Sequence, residues 1–374
     1  MADSSLRVAI LGASGYGGAE LIRILAHHPN AEIVVLTGDR RAGKPLGEVF
    51  PHLAALNMPD LIAIEQVEWA GLDIDVVFSA LPHGASQRLA KGLLHRTGHG
   101  LAAELVAEGE EDLVAALPRA VKVIDLAADF RLADPAVYRQ WYGHDHEAVE
   151  LQPRAVYGLT EFARDQIRTA NLIACPGCYP TSAILPLVPL LEDAAILPTE
   201  IIIDAKSGVS GAGRAEKEAN LFCEVSEGIH PYGIASHRHA PEIEQALSKS
   251  ANEPVTVTFT PHLVPMNRGI LSTIYVRLAE GATAADVRQV LVDRFVDEPF
   301  VSVLDGKQVP ATRMVRGTNR CAINVFADRV PGRAIVVSAI DNLVKGAAGQ
   351  AVQNFNVAFG FPEAEGLDLE PLFP

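Results

Sequence analysis

Through its first 175 residues the chain alternates short, almost wholly apolar runs with stretches of helical periodicity. Leu6-Arg-Val-Ala-Ile-Leu11 predicts a buried strand, Gly18 to His28 a helix, and Glu32-Ile-Val-Val-Leu-Thr37 the next strand. Ile74 to Ala80, Val121 to Leu126 and Leu172-Ile-Ala174 continue the series. Near-continuous apolar strands separated by helices predict a parallel, doubly wound α/β sheet. After Cys178 the texture changes to longer β-rich runs, Thr199 to Ala205, Pro254 to Pro261, Ile270 to Leu278 and Cys321 to Phe326. These predict a second, α+β domain with a mainly antiparallel sheet. Leu343, Ala347, Ala351, Val352 and Phe355 have helical spacing, so the tail from Asp341 is expected to pack back on the first domain. The expected division is therefore 1–177 with 341–374, and 178–340. Residues 95–120, rich in Glu, Ala and Gly, read as a helix-loop insertion without assigned chemistry.

A chain of 374 residues suits two domains, and 49% hydrophobic with 21% charged residues is the make-up of a soluble globular protein. Met1 to Asp3 lack the basic start of a secretory signal, and Pro186 and Pro189 break the longest later apolar runs, so no membrane association is expected. The four cysteines are scattered and form no disulfide pattern, which fits the cytoplasm. A net charge of −15 argues against nucleic acid and requires local cations wherever an anionic ligand binds.

The turn Gly12-Ala-Ser14-Gly15-Tyr16-Gly17-Gly18 follows the first strand and opens the first helix. Glycines there permit a tight turn and bring main-chain N–H groups close to a pyrophosphate. The spacing G-x-x-G-x-x-G is not the commoner G-x-G-x-x-G, so position at the first βα junction carries the argument. At the end of the second strand an NAD site usually has an acidic residue. Here Thr37-Gly-Asp-Arg40-Arg41-Ala-Gly-Lys44 offers a hydroxyl and three cations for a 2′-phosphate, so NADP is the expected cofactor, although Asp39 leaves NAD open. Ser79, Pro82 and His83 end another strand on the same edge, and Ser207-Gly208 begins a second Gly-rich turn running to Gly213. Both are candidate cofactor contacts, and Arg214 a candidate phosphate ligand.

Ala174-Cys-Pro-Gly-Cys178-Tyr-Pro-Thr181 places a lone thiol where a helix is expected to begin. The helix N-terminus favours the thiolate, which is the nucleophile. A Cys175-x-x-Cys178 redox pair and half of a zinc site are the competing readings, but there is no second C-x-x-C. His237-Arg-His239-Ala-Pro-Glu242 supplies the acid/base candidates, with Glu242 placed to orient an imidazole. No third ligand stands at metal-site spacing, so no metal is expected. Arg131 is a candidate carboxylate or phosphate ligand.

Together Gly12 to Gly18, Leu81-Pro-His-Gly84, Ala128-Asp-Phe-Arg131, Tyr157-Gly-Leu-Thr-Glu161, Pro176 to Thr181, Ser207 to Gly213, His237-Arg-His239 and Val344-Lys-Gly-Ala-Ala-Gly-Gln350 resemble the N-acetyl-γ-glutamyl-phosphate reductase family of arginine biosynthesis. The resemblance runs over nearly the whole chain in the expected order. It implies a Rossmann-type domain, a catalytic and dimerisation domain like that of aspartate-semialdehyde dehydrogenases, and a homodimer or homotetramer. It further implies Cys178 as nucleophile, His237 as acid/base and a small acyl-phosphate substrate; Asn342 is a further candidate cofactor contact, and Tyr157, Ser210 and His239 join Arg131 and Arg214 as candidate substrate contacts. Cys175 departs from a common Asn, Ala127 from a frequent Ser, and the insertion after Leu94 is longer than usual. Two other readings stay open: a lysine-pathway paralogue acting on an aminoadipyl phosphate, and an NADP(H)-binding sensor switched by Cys175 and Cys178.

Overall fold

The computed structural model describes residues 5–69, 71–95 and 121–373; apart from His95, the expected insertion at 95–120 lies outside them. The chain divides into two compact units, Met1–Pro176 with Ala348–Leu367, and Gly177–Ala347 with Asp368–Pro374. Gly177, residues 341–347 and the last seven thus group with the second unit, not with the first as expected.

The first unit is built on a seven-stranded sheet of β1 (Leu6–Leu11), β2 (Ala31–Thr37), β3 (Leu61–Ile62), β4 (Val76–Ser79), β5 (Lys122–Asp125), β6 (Ala155–Tyr157) and β7 (Leu172–Ala174). The order is β3-β2-β1-β4-β5-β7-β6, and every pair is parallel. All four residues of β4 are buried, as a strand covered on both faces requires. Order reverses between β1 and β4, and open α/β sheets bind ligands at such a switch point. The helix Gly349–Phe359 returns to this unit; nearly all of it is buried, and Phe355 packs on Phe78 with ring centroids 5.9 Å apart.

The second unit carries β8 (Ile201–Gly208), β9 (His230–Pro231), β10 (Val257–Val264), β11 (Ile270–Arg277), β12 (Val301–Val303), β13 (Cys321–Ala327) and β14 (Arg333–Ile340), in the order β12-β13-β14-β11-β8-β10-β9. Four of its pairs are antiparallel; β8 with β10 and β12 with β13 are parallel. Along β8, β10 and β11 buried residues alternate with half-buried or exposed ones, so one face is covered and the other is open. The helices Cys178–Glu192, Ala240–Ala251 and Ala284–Phe295 pack on this sheet.

Candidate active site

Cys178 is the first residue of a helix of 15 residues, and Gly177, in extended backbone, is its N-cap. Pro180 fits the first turn, where its missing N–H costs nothing. The Thr181 N–H and hydroxyl both donate to the Gly177 carbonyl, at 2.9 and 3.0 Å, and close that turn. The half-buried Cys178 thiol forms no disulfide and sits at the positive end of the helix dipole.

The Ala240–Ala251 helix starts beside it, with Pro241 in its first turn and His239 at the N-cap. Glu242, 1% exposed, accepts a hydrogen bond from the Gly177 N–H at 2.8 Å. A methyl group on Gly177 would come within 2.5 Å of His239 Nε2, so the Nε2 end of that ring abuts the residue preceding the thiol. The His237 ring stands edge-on to those of Tyr179, Tyr232, Phe259 and His239. Its Nδ1 accepts the His239 N–H at 3.1 Å, which puts the proton of the neutral ring on Nε2. Burial, aided by the charge of Arg238, pushes His237 down to about 4, so it stays neutral at physiological pH. The Tyr179 and Tyr232 hydroxyls are 3.0 Å apart. Burial raises Tyr179 far above its ordinary range and Tyr232 to about 12, leaving both as neutral hydrogen-bonding groups.

On another side of Cys178, a methyl on Gly346 would lie 2.7 Å from the Cys178 Cβ. Ser207 closes on its own turn by donating to the Gly208 carbonyl at 3.0 Å. Asn342 is engaged at both ends of its amide: Oδ1 accepts the Gly269 N–H at 2.7 Å and Nδ2 donates to Ser210 Oγ at 3.0 Å. Arg214 is half-buried in the stretch beyond Gly213.

In the first unit the glycines of the first turn fall into two classes. Gly12, at φ 75°, and Gly18 are demanded by packing, since a methyl on either would strike Ala80 O at 2.4 Å or Ala13 Cα at 2.5 Å. Gly15 and Gly17 would meet nothing closer than 3.5 and 4.0 Å, so their bareness leaves open backbone at the start of the Tyr16–Leu25 helix. That is a cradle an anionic group fits. A methyl on Gly38 would lie 3.2 Å from Ser14 Cβ, which brings the turn after β2 against this loop, with Arg40, Arg41 and Lys44 exposed on it. The Thr37 hydroxyl is already used, accepting the Gly12 N–H at 3.2 Å. Ser79 Oγ is buried 2.9 Å from Ser86 Oγ, a contact that braces the end of β4. Pro82 and His83 are exposed, with His83 Nδ1 accepting the Ala128 N–H at 3.1 Å. Arg131 is 7% exposed and donates to the carbonyls of Cys175 at 2.8 Å and Leu126 at 2.7 Å; it anchors strand ends. Tyr157 closes β6 and is half-buried. Burial pushes the Cys175 thiol up to about 12. Among the described residues no cluster of three or more His, Cys, Asp or Glu could hold a metal ion, and no helix is long and apolar enough to cross a membrane.

Comparison with known proteins places this geometry. Residues 7–101 match the semialdehyde dehydrogenase NAD binding domain, and residues 178–342 the semialdehyde dehydrogenase dimerisation domain. The chain is 57% identical over 369 residues to N-acetyl-gamma-glutamyl-phosphate reductase of Rhodospirillum rubrum, with 99% of each chain covered. The chain belongs to the N-acetyl-gamma-glutamyl-phosphate reductase family. It is thus an oxidoreductase of the semialdehyde dehydrogenase type. A plant relative, the probable chloroplastic enzyme of Oryza sativa, is 53% identical, covering 99% of this chain and 83% of that one. Aspartate semialdehyde dehydrogenase II from Vibrio cholerae shares the fold, with a TM-score of 0.67 at 19% identity over 96% of this chain and 99% of that one.

Within the second unit the structure thus gathers Cys178, His239 and Glu242 around Gly177. Ser207, Ser210 and Asn342 are joined into the turns beside them. Tyr179, Tyr232 and Gly346 were not singled out from sequence. Gly346 was legible only as part of Val344 to Gln350, and nothing local marks Tyr232 as a neighbour of Tyr179.

Proposed function

We propose that the chain reduces N-acetyl-γ-glutamyl phosphate to N-acetylglutamate semialdehyde and phosphate, in arginine biosynthesis, with NADPH as reductant and a Cys178 thioester as intermediate. The observation that carries this reading is Cys178 at the head of its helix with Glu242 and His239 both closed on Gly177. The Cys178 thiolate attacks the acyl carbon, phosphate leaves, and the acyl group remains as a thioester. The bound dinucleotide supplies the hydride that reduces the thioester carbonyl. Cys178 Sγ then departs as thiolate from the thiohemiacetal and frees the aldehyde.

We assign the acid/base role to His239 in place of His237, the residue the family resemblance implies. An imidazole held neutral with its Nδ1 occupied by a main-chain N–H has only Nε2–H to offer, so His237 serves as a hydrogen-bond donor. His239 presents its Nε2 end beside the nucleophile's own backbone, where a proton can pass to the substrate oxygen and back. Glu242 fixes the backbone at Gly177 and hence the start of the nucleophile's helix. The 2′-phosphate preference rests on Arg40, Arg41 and Lys44, which stand exposed beyond Ser14, and the bare backbone at Gly15 and Gly17 suits the pyrophosphate. Arg131 acts by tying down the Cys175 carbonyl, so the substrate anion is assigned instead to Arg214. The open face of the second sheet fits a second copy, giving a homodimer; a homotetramer would need a further surface. Cysteines without disulfides fit a reducing compartment, the cytoplasm. A buried Cys175 held as a neutral thiol disfavours the redox-sensor reading.

The test is NADPH formation from N-acetylglutamate semialdehyde and NADP with and without inorganic phosphate. Phosphate-dependent turnover is expected; turnover with the aminoadipate homologue alone would move the chain to the lysine branch.

A further inference from the structure

Asp341 is fully buried at the end of β14, and its carboxylate is saturated with donors. Oδ2 accepts the Gly317 N–H at 2.6 Å and meets Arg268 Nε at 3.1 Å. Oδ1 accepts from Leu343 N at 2.8 Å, Val344 N at 3.1 Å and Arg268 Nη2 at 3.3 Å. The Asp341 main-chain oxygen accepts the Gly346 N–H at 2.9 Å, a bond across five residues that opens the chain into the π turn Val344–Ala348. Lys345, in the same turn, is fully buried with its ammonium 5.7 Å from the centre of the Phe300 ring. The turn is therefore pinned from both sides. What it presents to Cys178 is the bare Cα of Gly346: a methyl there would meet Cys178 Cβ at 2.7 Å, Cys178 Cα at 3.2 Å and Ile340 Cδ1 at 3.3 Å. Real Cβ atoms do not approach so closely, and two of the three atoms belong to the nucleophile itself.

We propose that Asp341 and Gly346 are positioning residues for the nucleophile: the Asp341 carboxylate holds the wide turn, and Gly346 is the wall that fixes where the Cys178 side chain stands. This inference rests on Cys178 being the nucleophile. A wide turn is needed because the i→i+5 bond sets Gly346 back by one residue from the place an α-helical bond would give it. Glycine is needed because the wall touches the Cβ that carries the thiol.

The experiment measures the rate of Cys178 alkylation by iodoacetamide across pH, following the Cys178 peptide by mass spectrometry in the full-length wild type, Gly346→Ala, Asp341→Asn and Asp341→Ala. Gly346→Ala is expected to slow alkylation at least about tenfold and to shift its pH midpoint, with kcat falling by more than KM for NADPH rises. Asp341→Asn retains an acceptor for the Leu343 and Val344 N–H groups and is expected to lose less than Asp341→Ala. Unchanged alkylation rate and midpoint in a folded Gly346→Ala protein overturns the inference. If Gly346→Ala fails to fold, equal alkylation of wild type and Asp341→Asn, at wild-type kcat, overturns it. Failure of the underlying reading looks different: in the wild type Cys178 would then be no faster than the exposed Cys223.

Discussion

The Glu242 carboxylate and the Gly177 main-chain N–H, 65 residues apart in sequence, meet at 2.8 Å on the residue before the thiol. The donor is buried and has no water to fall back on, so the bond ties the start of one helix to the start of another. Glu242→Ala is expected to cost about 1–3 kcal/mol, the usual penalty for leaving a buried N–H without its acceptor. Its kcat should fall at least about tenfold, because Cys178 is carried on the freed backbone. Glu242→Gln keeps an acceptor oxygen and should lose less on both counts. Thermal midpoints and initial rates of the two variants decide this; equal losses would place the effect in the charge, not in the hydrogen bond.

Cys178→Ser should abolish turnover while NADPH binding, measured by fluorescence titration, stays within about twofold of wild type. A serine hydroxyl is a weaker nucleophile than a thiolate, and its alkoxide is a far poorer leaving group from the hemiacetal. Substantial activity in the serine variant would remove the covalent route.

Arg40→Ala with Arg41→Ala should raise KM for NADPH about 10- to 100-fold, the effect of losing one or two charge-assisted contacts to a phosphate. KM for NADH should change little, since both side chains are exposed and lie in the turn beyond β2. Equal changes for the two cofactors would refute a 2′-phosphate contact.

The first sheet was largely legible because strands buried on both faces are nearly unbroken apolar runs, and β1 lies where the pattern put it, at Leu6–Leu11. Short edge strands such as β3 and β6, of two and three residues, carry too few positions for any periodicity to register. In the second unit β14 was missed because its apolar run leads directly into the segment read as helical, and the parallel pairing of β8 with β10 depends on partners far apart in sequence. Of the site, Cys178, Glu242 and the two histidines announced themselves by residue type and by the helix starts around them. Which of the two rings lies against Gly177 did not, because that depends on how the turn before the Ala240–Ala251 helix folds. Thr37 and Ser79, at strand ends, and Arg131, in the loop after β5, have the residue types of ligands, yet each is engaged by its own unit: a hydroxyl or guanidinium can satisfy groups of the protein as readily as a ligand.

Asp125, at the end of β5, gives the first unit a distinct pH response. It is fully buried; Oδ1 accepts the Ser86 hydroxyl at 2.6 Å and the Ala127 N–H at 3.0 Å, while Oδ2 has no hydrogen-bond partner among the described residues. Burial, with the nearby Asp129 charge adding to it, outweighs those bonds and raises the carboxyl from 3.8 to about 6. The native state therefore holds a proton that the unfolded chain releases between about pH 4 and pH 6. Stability from this group is intact below the unfolded value and is lost as pH rises through that window, reaching about 3 kcal/mol at neutral pH as an upper bound. Asp125→Asn cannot titrate, and any cost of fitting the amide against Ser86 is the same at every pH. The stability of the variant relative to wild type should therefore increase from pH 4 to about pH 6.5 and then level off, as read from denaturant unfolding at a series of pH values. A difference independent of pH across that window would show that Asp125 ionises in the folded protein as it does in the unfolded chain.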